Sequence, residues 1–168
     1  MTDTQPMEQG QDSEAQFMIQ RVYVKDASFE APGTPAAFQQ KWEPDLNLDI
    51  NTKHSKLDAT VYEVVLTVTA TVKNQNAVAF LCEVKQGGIF TIQGAAAEQL
   101  DHLLGSFCPS ILFPYAREAI TSQVIAGSFP QLVLAPINFD ALYMKQLEDK
   151  QKDGIQSKIQ QVEPEATH

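Results

Sequence analysis

Apolar and polar residues alternate through the first half of this chain, and that period is the signature of extended strands. In Asp45-Leu46-Asn47-Leu48-Asp49-Ile50-Asn51 every second residue is apolar. Successive strand side chains leave on opposite faces, so Leu46, Leu48 and Ile50 share one face and Asp45, Asn47, Asp49 and Asn51 the other. Residues 62–72 repeat the pattern, with Val64, Leu66, Val68, Ala70 and Val72 on one side and threonines largely opposite. Lys73-Asn74-Gln75-Asn76 then marks a turn. Residues 79–92 predict a further strand, with a bulge or kink at Gly87-Gly88. Residues 17–29 predict a fourth, less regular one. Four strands joined by short polar turns predict an antiparallel sheet. The exception is the link between the first two, where Pro32 and Pro35 make a long connection rather than a tight hairpin.

From residue 95 the period changes. Leu100, Leu103, Leu104 and Phe107 recur at three- and four-residue steps, the spacing of a helix over 95–107. Pro109 is expected to interrupt it, and the helix to resume after Pro114. Each proline removes a backbone donor and crowds the carbonyl one turn back, so something must hold this segment in place. Asn138 is a candidate N-cap for a last helix, shorter than the first, whose Phe139, Leu142, Tyr143 and Leu147 form one apolar face. Strands first and helices after make the class α+β. Residues 1–16 read as a disordered acidic arm, 17–150 as a single domain, and 151–168 as a polar flexible tail, with a frayed helix as the alternative because Ile155, Ile159 and Val162 stand at near-helical spacing.

The formal charge is −9, and Asp3, Glu8, Asp12 and Glu14 with no base supply −4 of it. An acidic chain lacks the basic footprint nucleic acid requires, and suits a basic partner surface or simple solubility. No phosphate-cradling glycine loop and no Gly-x-Ser-x-Gly elbow occur. His54 and His102 lack a Cys or acid at ligand spacing, and Cys82 and Cys108 form no Cys-x-x-Cys pair. The expectation is therefore no enzyme, no cofactor and no metal, with both cysteines acting as small buried hydrophobes. Nothing reaches the roughly 18 apolar residues of a membrane span. Met1-Thr2-Asp3-Thr4-Gln5-Pro6 has neither the basic nor the apolar region of a signal peptide, so a cytoplasmic protein is expected.

Longer motifs carry more. Gln86-Gly87-Gly88-Ile89-Phe90 is followed by Phe107-Cys108-Pro109-Ser110-Ile111-Leu112-Phe113-Pro114-Tyr115-Ala116-Arg117-Glu118, then Phe129-Pro130-Gln131-Leu132, then Ala135-Pro136-Ile137-Asn138-Phe139-Asp140-Ala141-Leu142-Tyr143. This ordered set, within a match over residues 19–147, resembles the SecB protein-export chaperones. The resemblance implies an ATP-independent holdase that binds unfolded precursor proteins, keeps them translocation-competent and delivers them to a SecA-type translocation ATPase. It also implies a homotetramer, a dimer of dimers.

Three residue sets follow from the resemblance. A peptide groove is implied at Trp42 on the segment crossing the sheet, Leu46, Leu48 and Ile50 on the second strand, and Tyr143 and Leu147 on the last helix. By pattern alone Leu46, Leu48 and Ile50 are equally plain core. A docking face for the motor's basic, zinc-bearing tail is implied at Asp26, Glu30, Leu81 and Glu83, which by pattern alone is an ordinary solvated sheet face. Effects on assembly are implied at Cys82, Val84 and Gln86, otherwise readable as intrachain core, and the proline-bearing helix is expected between dimers. The rival reading is a small α+β ligand-binding or adaptor protein that ignores unfolded chains.

Overall fold

The computed structural model describes residues 14–160, with side chains as far as residue 154. The expected acidic arm before residue 14 and the end of the tail after 160 lie outside the described residues. Four strands, β1 (Gln16–Glu30), β2 (Pro44–Lys56), β3 (Val61–Asn74) and β4 (Ala77–Gln93), form one antiparallel sheet in the order β1-β4-β3-β2. Because β1 and β2 are opposite edges, residues 31–43 must cross from one side of the sheet to the other. The buried Asn74 anchors this crossover: its Oδ1 accepts the Glu43 backbone N–H (2.7 Å) and its Nδ2 donates to the Lys41 carbonyl (3.1 Å). The β3–β4 turn is Gln75-Asn76, both at positive φ (52° and 66°), the two-residue form whose twist matches the strands.

Pairing converts alternation into two faces. Leu46 stands opposite Val72, Leu48 opposite Ala70, Ile50 opposite Val68, and Val68 opposite Val84. Even-numbered residues of β2 and β3, and of β4 from Phe80 onward, therefore share one face, and those of β3 and β4 are buried beneath the helices. Aromatic contacts close one end of this core: Phe80 packs on Phe29 and Phe129 (5.6 and 5.0 Å between centroids), and Phe129 also meets Phe38 and Trp42 of the crossover.

Gly87-Gly88 does not kink β4. Both glycines pair on both sides, and the irregularities fall in β1 at Ile19/Arg21 and Val24/Asp26, and between β3 and β4 at Val72/Lys73. The reason for glycine is close approach. A Cβ on Gly87 would lie 2.5 Å from the Tyr23 ring, and one on Gly88 2.7 Å from the Phe90 ring and 2.9 Å from Leu112 Cδ2.

The prolines do not interrupt the helix either. The chain stays helical through α1 (Ala97–His102), a π-helical segment (Leu103–Phe107) and α2 (Cys108–Ala126). The Cys108 N–H bonds the Leu103 carbonyl, five residues back, and this widened turn directly precedes Pro109. An ordinary α-turn would set the Pro109 ring against the Gly105 carbonyl; a π-bulge gives it room. Leu112, Ala116, Ile120 and Val124 of α2 lie fully buried on the sheet. The last helix, α3 (Phe139–Gln160), is capped as expected, Asn138 Oδ1 accepting the Ala141 N–H at 3.0 Å. It continues to Gln160, the helical alternative left open by the spacing of Ile155 and Ile159. Gly154 is the one weak helix former there, costing about 1 kcal/mol, and no proline stands before Pro164.

Candidate functional site

An edge strand beside a helix can leave apolar surface open, and this chain does so along β2. Trp42 and Leu46 line one groove of about 110 Å³ together with Pro44, Val72, Pro130 and Leu132. The Trp42 ring is held against Phe129 at 5.8 Å, while Leu46 remains 40 % exposed. Leu48 and Ile50 continue the same face of β2, half-buried and packed against the core. Tyr143 and Leu147 lie on α3, one turn apart, with Leu147 37 % exposed. They do not line the Trp42–Leu46 groove. The π segment touches both β2 and α3, so the two apolar stripes share a platform.

That platform is built for α3. A Cβ on Gly105 would lie 2.6 Å from the Tyr143 ring, so only glycine lets the ring sit down. Tyr143 meets the His102 ring edge-on at 5.5 Å, and Phe139 packs on Phe113 at 5.7 Å. Asp140 ties the junction: its Oδ1 accepts from the Ser106 hydroxyl and lies 2.8 Å from His102 Nε2. The Ser106 hydrogen bond, then that of His102, holds the Asp140 carboxyl below its ordinary value of 3.8. A depressed carboxyl contributes stability that is present above its unfolded value and lost as pH falls through the lowered folded one. We therefore expect Asp140→Ala, or acidification below pH 3.8, to lower the amide protection factors, the intrinsic exchange rate at the same pH divided by the observed rate, over residues 140–147 before it affects β3. Hydrogen-exchange mass spectrometry checks this.

Pattern reasoning passed over Val133 (72 % exposed) and Met144 (55 %), which add apolar surface near the same region of the chain. Val133 lies in residues 127–138, which form neither helix nor strand, so no period marks it.

Among the described residues the opposite sheet face carries no helix. Glu30 stands opposite Leu81, Ser28 opposite Glu83, and Asp26 opposite Lys85, so Asp26, Glu30, Leu81 and Glu83 form one patch. Glu83 accepts a hydrogen bond from Thr69 Oγ1 at 3.0 Å. Deeper on this face Glu63 accepts from Lys25 Nζ (2.8 Å) and from the Tyr23 hydroxyl. Partial burial, reinforced by Glu63, pushes the Tyr23 hydroxyl up to about 12, while Lys25 and Tyr23 hold Glu63 low.

Cys82, Val84 and Gln86 take the intrachain-core position that their pattern allowed. All three are buried inside this chain under the helices. The Cys82 thiol donates to Gln123 Oε1 of α2 at 3.0 Å, and burial raises the Cys82 and Cys108 thiols to about 11 and 12. Gln86 Nε2 donates to the Tyr23 carbonyl (2.9 Å), beside the Val24/Asp26 irregularity, while its buried Oε1 has no partner among the described residues. Through these bonds Cys82 is tied to α2 and Gln86 to the β1 edge. That edge exposes Met18, Ile19 and Val24, and the helical layer exposes Phe107, Tyr115 and Ile125.

The family model for Preprotein translocase subunit SecB matches residues 10–150. The chain belongs to the SecB family. A Protein-export protein SecB of Legionella pneumophila is 79 % identical over 84 % of this chain and 88 % of its own length. One from Pseudomonas fluorescens is 54 % identical over 92 % of this chain and 97 % of its own. Among solved structures, a Mycobacterium tuberculosis SecB-like chaperone in complex with a ChAD peptide from an antitoxin shares the fold. Its TM-score is 0.56 at 16 % identity, covering 72 % of this chain and 87 % of that one. The SecB family is one of protein-export chaperones, and membership brings together features that pattern reading alone left apart: an open apolar strand, a helix-free acidic face and a helical layer with exposed aromatics. Among the described residues no group of three His, Cys, Asp or Glu could hold a metal ion, and no helix is long and apolar enough to cross a membrane.

Proposed function

We propose that this SecB-family chain is an ATP-independent holdase of the cytoplasm that binds unfolded precursor proteins along β2 and α3 and passes them to the SecA-type translocation ATPase. The observation that carries the reading is the half-open apolar stripe of Trp42 on the crossover and Leu46, Leu48 and Ile50 on the edge strand that follows it, with a second stripe on α3 at Tyr143 and Leu147. An edge strand offers backbone donors and acceptors to an extended client, and apolar walls gain roughly 25 cal/mol per Å² covered without demanding one sequence. The test is calorimetric titration with a permanently unfolded chain and with its folded counterpart, no nucleotide present. Binding to the unfolded form alone is expected; binding to neither would favour a ligand-binding or adaptor role.

The helix-free patch Asp26, Glu30, Leu81 and Glu83 is the proposed docking site for the motor's basic tail. Glu83→Lys is expected to weaken motor binding tenfold or more while client affinity stays within a factor of about two, since the residue faces away from the helical layer. Equal loss of both would merge the two surfaces. Self-association into a dimer of dimers would cover the apolar β1 edge and the exposed residues of α2, surfaces a lone soluble chain rarely leaves open.

A further inference from the structure

The helix-free face is not uniformly acidic. Beside the Asp26–Glu30–Glu83 patch lies a concavity of about 550 Å³ whose lining includes Lys25, Lys53, Lys85, Asn51, Glu63 and Glu83. Its charges are unevenly matched. Lys25 is paired with Glu63 at 2.8 Å. Lys53 and Lys85 make no ion pair among the described residues, although Asp26 stands directly across from Lys85. The acidic and basic zones are continuous, because Glu83 belongs to both.

Register sets their spacing. On this face β4 presents Leu81, Glu83, Lys85 and Gly87 in succession, and Val65, the neighbour of Lys53 on β2, pairs with Gly87. Rows two residues apart are about 7 Å apart along the strand, so the Glu30/Leu81 row lies about 13 Å from the Lys85 row and about 20 Å from the Lys53 row. Lys53 stands two strands across the sheet from Glu83, about 16 Å away, and Lys85 is about 7 Å from Glu83, so an extended segment crossing obliquely with a basic residue over Glu83 brings its residues two to five positions away over the lysines.

We infer that the docking face reads both signs of charge: it takes a motor segment carrying carboxylates a few residues from its basic ones, with Lys53 and Lys85 receiving the carboxylates. This rests on the docking reading above, and it makes a prediction of opposite sign to an all-acidic face. Added negative charge should strengthen a purely basic ligand's binding and weaken that of a segment of mixed sign.

The experiment measures the affinity of the purified full-length motor ATPase for the full-length chain and its variants at low salt. Lys53→Glu with Lys85→Glu is expected to weaken binding threefold to tenfold, and Lys53→Arg with Lys85→Arg to retain wild-type affinity. Unchanged or tighter binding by the glutamate variant, with its circular dichroism and client affinity intact, overturns the inference. Should the glutamate variant fail to fold, Lys53→Gln with Lys85→Gln decides by the same sign. Glu83→Lys, measured alongside, separates the two failures. If it binds as wild type does, the docking reading falls and this inference with it. If it loses binding while the lysine variants gain, only the mixed-sign inference falls.

Discussion

Replacing Leu48 and Leu147 together by alanine weakens binding of an unfolded client about tenfold to a hundredfold and leaves the fold in place. Each truncation removes apolar surface that a bound chain would cover, about 1 kcal/mol apiece for side chains already half covered, and about 1.4 kcal/mol is tenfold. Leu48 is half-buried and Leu147 is 37 % exposed, so neither supports the centre of the core. Neither lies on the helix-free face or on β1. Motor binding should therefore be unchanged, and the loss should appear in calorimetry as a smaller heat-capacity change as well as a weaker affinity. Unchanged affinity in the double variant would place client binding elsewhere on the molecule.

Leu112→Ala is expected to destabilise the chain by about 2–5 kcal/mol, the range for emptying a buried leucine site. Leu112 is fully buried where α2 meets the sheet, and its Cδ2 would lie 2.9 Å from a Cβ on Gly88. Gly88→Ala alone should cost about 1–3 kcal/mol, because the added methyl meets two fully buried neighbours, Leu112 and Phe90. The two changes are complementary: removing Leu112 opens part of the space the new methyl needs. Denaturant unfolding of both single variants and the double should give a sum larger than the double, with coupling in the range of about 0.5–3 kcal/mol. Additive costs would mean that the Gly88 methyl is accommodated by movement of Phe90 alone.

The elements that pattern reading placed well are those whose signal is local. Alternation over 45–51 and 62–72 marks β2 and β3, and a three-to-four period marks the helices, because each face is written into a few neighbouring residues. It could not say why β4 carries two glycines. The Tyr23 ring that requires Gly87 and the Leu112 that requires Gly88 come from distant segments, and a bulge was the only local explanation open. The same holds for Pro109. Locally it breaks a helix, yet one π turn before it keeps the chain helical. Past residue 150 the local pattern left helix and tail both open, because polar residues are as compatible with an exposed helix as with a tail.

The surfaces divide along the same line. That Leu46, Leu48 and Ile50 share a face, that Asp26 goes with Glu30 and Leu81 with Glu83, and that Cys82, Val84 and Gln86 share the opposite side of β4 all follow from a two-residue period in the sequence. The ordered motifs from Gln86 to Tyr143 also placed the chain among the export chaperones. Only the tertiary structure decided that β1 pairs with β4, which joins Asp26, Glu30, Leu81 and Glu83, the proposed docking residues, into one patch and sets Lys53 and Lys85 beside it. Only it put α2 over Cys82, Val84 and Gln86, which makes them core within this chain. Periodicity assigns each side chain to a face of its own strand; which strand lies alongside, and what covers that face, depends on contacts between residues far apart in the chain, and no local pattern records them.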